Sequence, residues 1–270
     1  MPRQTLLVAP PVPDEVQALA RARQLGEHTA TYRPQALRRR VALAYALGGV
    51  VLLLSAPLFA LIRLWPVGLA CAALGVLCLY QLARKPATAS RYAAKRVDVF
   101  RHGFIESDHT GPRADFRWDA VTSVYQRICP TYTTGIWAGT TYLYTVTRGD
   151  GVQVKLTQFY QGIAALGETI AREVTRVQVP RAMAAIARGE TVRFGDVAVD
   201  ATGVACPRRG RTPWGEIERV QVNRGCVALR RAGRWRTWSG KPASQVPNLF
   251  VFLTVADLLL HDARPAERRL

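Results

Sequence analysis

Two uncharged runs stand back to back between Val41 and Leu82, and nothing else in the chain limits its possible folds as sharply. Val41–Ile62 is 22 residues without a charged side chain. At about 1.5 Å per residue, a helix of that length reaches roughly 33 Å, enough for a hydrocarbon layer of about 30 Å. Leu64–Leu82 adds 19 residues beyond the single Arg63, opening on Trp65 and Pro66, where an interfacial anchor and a turn are expected. The pattern predicts a transmembrane helical hairpin over residues 41–82, since two buried helices of a soluble domain rarely stay uncharged for so long.

The flanking charges set an orientation. Arg38, Arg39 and Arg40 precede the first run and Arg84 and Lys85 follow the second, while the connecting loop offers only Arg63. Lys and Arg are retained on the inner side of a membrane. Both termini are therefore expected in the cytoplasm, and the protein is expected to be membrane-integral and multi-pass. Residues 1–40 contain no apolar segment of the kind a targeting peptide carries.

Charge also bears on partners. Lys and Arg number 37 against 19 acidic residues, a net +18, divided as +7 over residues 1–85, +3 over 86–176 and +8 over 177–270. Basic ends in a membrane-tethered chain point to an anionic lipid surface, where each nearby cation contributes about 1 kcal/mol. Nucleic acid is the usual alternative partner, but no helix-turn-helix or zinc-finger spacing supports it. Cys71, Cys78, Cys129, Cys206 and Cys226 form no CxxC pair and are expected as free thiols.

Around the hairpin the chain divides into short elements. Pro2, Pro10, Pro11 and Pro13 mark a tail, Asp14–Gln24 reads as a helix bounded by Pro13 and Gly26, and His28–Arg33 reads as a strand able to pair with a sheet formed after the hairpin. Pro86–Arg91 reads as a linker. Beyond it the period changes to two, with Val97 and Val99, Phe116 and Trp118, Tyr142, Tyr144 and Val146, and Val152 to Leu156. Turn signals separate these strands, and Phe159–Val174 follows with helical spacing.

A second run of about seven short strands and a final apolar helix, Leu249–Leu260, repeats the plan after a helical connector at Pro180–Arg188. Gly103 aligns with Gly203, and Trp118-Asp-Ala-Val-Thr-Ser-Val124 with Trp214-Gly-Glu-Ile-Glu-Arg-Val220, as two copies of one fold would. The expected division is a tail with a short helix and strand over 1–40, the hairpin over 41–82, modules over 86–176 and 177–262, and a basic tail over 263–270.

A Trp, two residues and then Val or Ile, inside some seven strands closed by an apolar helix, resembles the PH-like barrel. Over residues 25–260 the chain further resembles a domain-of-unknown-function family of bacterial two-pass membrane proteins, on Leu25-Gly-Glu-His-Thr-Ala-Thr-Tyr-Arg-Pro34, Arg117-Trp-Asp-Ala-Val-Thr-Ser-Val-Tyr-Gln126, Gly139-Thr-Thr-Tyr142, Ala165-Leu-Gly-Glu168 and Pro247-Asn-Leu-Phe-Val-Phe-Leu253. The resemblance implies an α+β fold, a transmembrane helical hairpin followed by two tandem PH-like β-barrel domains, each closed by a C-terminal helix. It implies a bacterial inner membrane and assigns no activity.

Chemistry-bearing residues are sparse. His102, Glu106, Asp108 and His109 form the one cluster of metal-type ligands, but strand alternation sends neighbours to opposite faces, so no metal and no cofactor are expected. There is no phosphate loop, nucleophile elbow or paired-carboxylate motif, and the expectation is a non-enzymatic protein. Arg208, Arg209 and Arg211 fall in a strand loop, and Arg230, Arg231, Arg234 and Arg236 surround Gly233. They are candidates for lipid phosphate, because guanidinium takes phosphate bidentately, or they form a general basic face.

Ile128–Thr140 interrupts the first module only. Its Tyr132 and Trp137 are candidates for a partner or interface contact, with a long hairpin packed on its own barrel as the alternative. The function expected is a platform for a protein partner or anionic lipid. The alternative is a regulatory subunit of a membrane transporter or envelope-building complex, its hairpin packing on partner helices through Gly48, Gly49, Ala70 and Gly75.

Overall fold

A computed structural model of the chain describes residues 12–34, 39–61, 63–133, 136–206, 210–223, 225–231 and 238–263. Helix α1 (Asp14–Ala22) starts after Pro13 with Asp14 and Glu15 in its first turn, a favourable place for acids at the positive end of the helix dipole. It buries Val16 and Ala20 against Leu25, Phe100 and Ile105. Strand β1 (His28–Tyr32) follows. The chain then leaves as α2 (Arg39–Leu61), returns as α3 (Trp65–Ala93), and pairs β2 (Arg96–Phe100) directly with β1, Tyr32 facing Val97.

The two-span reading is overturned: among the described residues, no helix is long and apolar enough to cross a membrane. Helix α3 also runs on through the expected linker at Pro86–Arg91, so its 29 residues include Arg84, Lys85 and Arg91. The membrane-integral, multi-pass placement and the orientation drawn from the flanking arginines fall with the spans, and the argument for an adjoining anionic leaflet falls too.

Within the hairpin, Gly49, Gly68 and Gly75 lie at the contact between its own two helices. A Cβ at Gly75 would lie 2.8 Å from Leu53 Cγ, one at Gly68 2.8 Å from the Ala56 carbonyl oxygen, and one at Gly49 3.1 Å from Leu79. Gly49 and Gly75 are therefore not outward surfaces, while Gly48 faces open space.

The first half continues with β3 (Gly103–Asp108), β4 (Gly111–Arg117), β5 (Val121–Thr133), β6 (Ile136–Arg148), β7 (Gln153–Thr157) and α4 (Ile163–Ala187). The second half has β8 (Val192–Phe194), β9 (Val197–Asp200), β10 (Gly203–Cys206), β11 (Gly210–Pro213), β12 (Ile217–Asn223), β13 (Cys226–Arg231), β14 (Trp238–Pro242) and α5 (Leu249–Ala263). Each half has a four-stranded and a three-stranded antiparallel sheet, ordered β1-β2-β3-β4 with β5-β6-β7, and β11-β10-β9-β8 with β12-β13-β14.

The α+β class therefore holds, but the PH-like barrels do not: the four sheets stay open and separate. A tryptophan sits at each corner where two sheets part. Trp118 is 1% exposed and Trp214 is 3% exposed. Trp118 donates its indole N–H to the Arg101 carbonyl (3.2 Å) and its amide to that of His102 (3.0 Å). Trp214 repeats this on Asp200 (2.8 Å) and Thr202 (3.3 Å). The aligned glycines match as well, since a Cβ at Gly103 would run into the Phe116 carbonyl and one at Gly203 into the Thr212 carbonyl.

The halves share one core. A single apolar cluster runs from Val97 and Trp118 through Leu166, Ile170 and Val174 of α4 to Trp214, Phe252 and Leu260. The expected connector at Pro180–Arg188 is instead the last part of α4, which continues through Pro180 and buries Ala182 and Ile186 in this core. One helix thus closes the first half and seats the second.

Candidate functional site

Strands β5 and β6 are 13 residues each and stay paired from Val121 and Arg148 to Thr133 and Ile136. Strand β7 accompanies β6 only from Leu143 to Thr147. Past that point the pair is a bare two-stranded ribbon. Residues 127–133 alone extend about 24 Å at 3.4 Å per residue. A two-stranded ribbon is marginal by itself in water, so this one depends on its root.

The root is anchored on both sides. Tyr144 lies against α4 at Gly167, where a Cβ would overlap its ring. That accounts for the glycine in Ala165-Leu-Gly-Glu168. On the other side, Asn248 grips the outer edge of β5. Its amide donates to the Val124 carbonyl (3.0 Å), its Oδ1 accepts from Val124 N–H (2.8 Å), and its Nδ2 donates to Thr122 O (2.8 Å) and Gln178 Oε1 (2.9 Å). Gln178 completes the set by donating to Val121 O at 2.8 Å. Asn248 has φ +51°, a left-handed conformation that Asn tolerates better than most residues. Composition signalled a helix start here, but not a bond from the second half to a strand of the first.

The two edges of the ribbon differ. Pro130, opposite Thr140 in β5, has no N–H to offer, so the β5 edge is blunted. On β6 the Arg148 N–H bonds the Val152 carbonyl toward β7 (2.9 Å). Strand alternation points the main-chain groups of Tyr142 and Thr140 the same way, beyond the end of β7. Among the described residues no strand lies beside them there. On the paired strand β5, Arg127, Cys129, Pro130 and Thr131 are exposed, as is Ile128 at 49%.

Tyr132 and Trp137 oppose each other near the tip in register; their side chains lie outside the described residues. Arg208, Arg209, Arg234 and Arg236 lie outside them altogether. Arg211 is ion-paired with Asp200. Arg231 donates to Thr212 Oγ1 at 2.8 Å and lies 3.8 Å from Glu216. Arg230 pairs with Glu218 at 3.0 Å, so of the seven arginines named as candidates for lipid phosphate, the three that are described each contact the chain's own groups.

The metal-type cluster is dispersed. Glu106 accepts from the Tyr160 hydroxyl at 3.4 Å, whose pKa burial and then Glu106 push up. Asp108 takes both Thr110 groups, which hold its carboxyl low. His102 faces a different cleft. Among the described residues, no group of three His, Cys, Asp or Glu is placed to hold a metal ion.

A further charged group clamps the far end of the β5–β6 pair. Arg148 bridges Asp115 (3.1 Å) and Asp150 (2.6 Å), Arg117 pairs with Asp119 (3.0 Å), and Arg23 lies 3.5 Å from Asp115. The Arg148 guanidinium holds the Asp150 carboxyl down to about 2. Here each aspartate neutralises an arginine beside it, as in a turn clamp.

The sequence matches a family of unknown function (DUF6585) over residues 9–265. No curated protein and no solved structure matches it.

Proposed function

We propose a role for this chain, which belongs to that family of unknown function, from its own geometry: it is a non-enzymatic scaffold that holds a protein partner on the β5–β6 ribbon. The carrying observation is the β6 edge at Thr140 and Tyr142, beside which no strand lies among the described residues, on a ribbon whose other edge is blunted by Pro130 and gripped by Asn248. An extended segment of a partner adds to such an edge, with main-chain hydrogen bonds giving affinity and alternate side chains giving selectivity. Exposed Ile128 and Tyr125 supply apolar contact on the same ribbon. Binding rather than catalysis fits the described acids and bases, which largely satisfy one another in ion pairs.

The test is a photo-crosslinking residue placed at Ile128 or, as a control, at Glu168 on α4. Adducts with one defined protein at Ile128 alone, lost in Thr140→Pro with the thermal midpoint retained, support the reading. Equal labelling at both positions, or labelling indifferent to Thr140→Pro, overturns it.

A second reading rests on the helical hairpin, whose Leu54, Leu61 and Leu69 are 71%, 82% and 62% exposed. An apolar surface of that extent suits packing on the helices of a larger complex, for which this chain is a regulatory subunit. Exchange of residues 39–93 for an unrelated helical hairpin abolishes assembly on this reading and leaves it intact on the first.

A further inference from the structure

We propose that the cleft between the β2–β3 turn and α4 binds a phosphorylated small molecule. Thr29, Val99, Phe100, Arg101 and His102 line it from the sheet and its turn, and Thr169, Arg172 and Arg176 line it from α4. At about 470 Å³ it falls within the range of small-molecule sites.

The carboxylate in this lining is Glu173, and it serves the arginines. It accepts from Arg172 Nε at 3.4 Å and from Arg176 Nε at 3.0 Å, while Arg172 also reaches Thr169 Oγ1 at 3.4 Å. Both guanidinium groups are thereby oriented while their side chains remain 67% and 59% exposed. Arg101 belongs to the β2–β3 turn, so two separate elements bring cations to the cleft. Planar guanidinium forks match the oxygens of a phosphoryl group, and one acid against three arginines leaves the cleft positive.

The repeat supplies an internal control. Beside Gly203 the corresponding turn is Ala201-Thr202, and α5 contains no Lys or Arg but does contain Asp257 and Asp262. The second half builds the same corner, with the same tryptophan and glycine, without these cations. The fold therefore does not require Arg101, His102, Arg172 or Arg176. Nor does bulk charge explain them, because residues 86–176 carry only +3 of the total +18.

The probe is inorganic pyrophosphate, titrated calorimetrically into the full chain at an ionic strength of about 0.15 M, where diffuse attraction is largely screened. Saturable one-to-one binding is expected. Arg101→Ser and Arg172→Ser should each weaken it roughly tenfold or more, as loss of a hydrogen bond to a charged group does. Arg219→Ser, on the exposed face of β12, should leave it unchanged. Absence of saturation, equal weakening by all three changes, or equally tight binding of succinate overturns the proposal. Should Arg101→Ser not fold, Arg176→Ser, at an exposed lining position of α4, gives the same reading.

Discussion

The two halves share their joints and differ in their reach. Each has a four-stranded sheet, a three-stranded sheet, a closing helix and a tryptophan bonded back to the turn before its glycine. Yet β5 and β6 run 13 residues each where β12 and β13 run seven and six. The second half is close to the minimum of this architecture. The first is that minimum plus a ribbon and a basic cleft, and both additions lie where the shared core does not need them. Duplication has thus separated what folds from what contacts.

The comparison breaks most decisively at the tryptophans. Trp118→Ala and Trp214→Ala should each cost about 3–5 kcal/mol, the usual loss for a buried aromatic. Because one core spans both halves, each variant should unfold in a single urea transition. If Trp214→Ala left the amide protection of β2 and β3 untouched, the halves would be independent and the shared-core account wrong.

Asn248→Ala sharpens the same point with a smaller effect. It orphans Val124 N–H and the Gln178 carbonyl, for about 1–3 kcal/mol. Amide exchange should accelerate at Thr122–Val124, in the first half, although the substitution is in the second. Asn248→Gly, which retains the left-handed backbone, should show the same acceleration; if it does not, the effect was backbone strain.

The smallest effect concerns acid. The folded pKa of Asp150 is held at about 2, below its ordinary 3.8, by its bond to Arg148. Asp119 is shifted the same way by Arg117. Such groups add stability that is present above the unfolded pKa and is lost as pH falls through the folded one. Between about pH 4 and 2, the thermal midpoint should therefore fall further in wild type than in Arg148→Met. Asp150 is solvent-exposed, so the difference should be modest; parallel curves would show that the clamp contributes nothing.

Local pattern made much of this architecture readable. Period-two runs placed most strands, and Gly103 with Gly203 and Trp118 with Trp214 revealed the repeat because sterics at a sheet corner fix both residue types. What misled was counting uncharged residues. Val41–Leu82 predicts two spans, yet among the described residues no helix is long and apolar enough to cross a membrane, and Pro86 and Pro180 read as boundaries but sit inside α3 and α4. A proline removes one hydrogen bond, and in α4 the burial of Ala182 and Ile186 beyond Pro180 outweighs that loss.

The candidate site was legible only in outline. Ile128–Thr140 was recognisable as an addition to one copy. The grip of Asn248 on β5 was not readable, since it spans 124 positions in sequence. Likewise no spacing rule tells that Arg211 and Arg231 are engaged by Asp200 and Thr212.

Because β1 and β2 are neighbours in one ladder, Tyr32 opposite Val97, the two long helices between them amount to the turn of an ordinary β-hairpin drawn out to great length. Entry and exit lie side by side on the same edge, so the sheet closes whether the excursion is long or short. The helices are in effect an interchangeable cassette, free to diverge or be swapped without asking the rest of the molecule to refold.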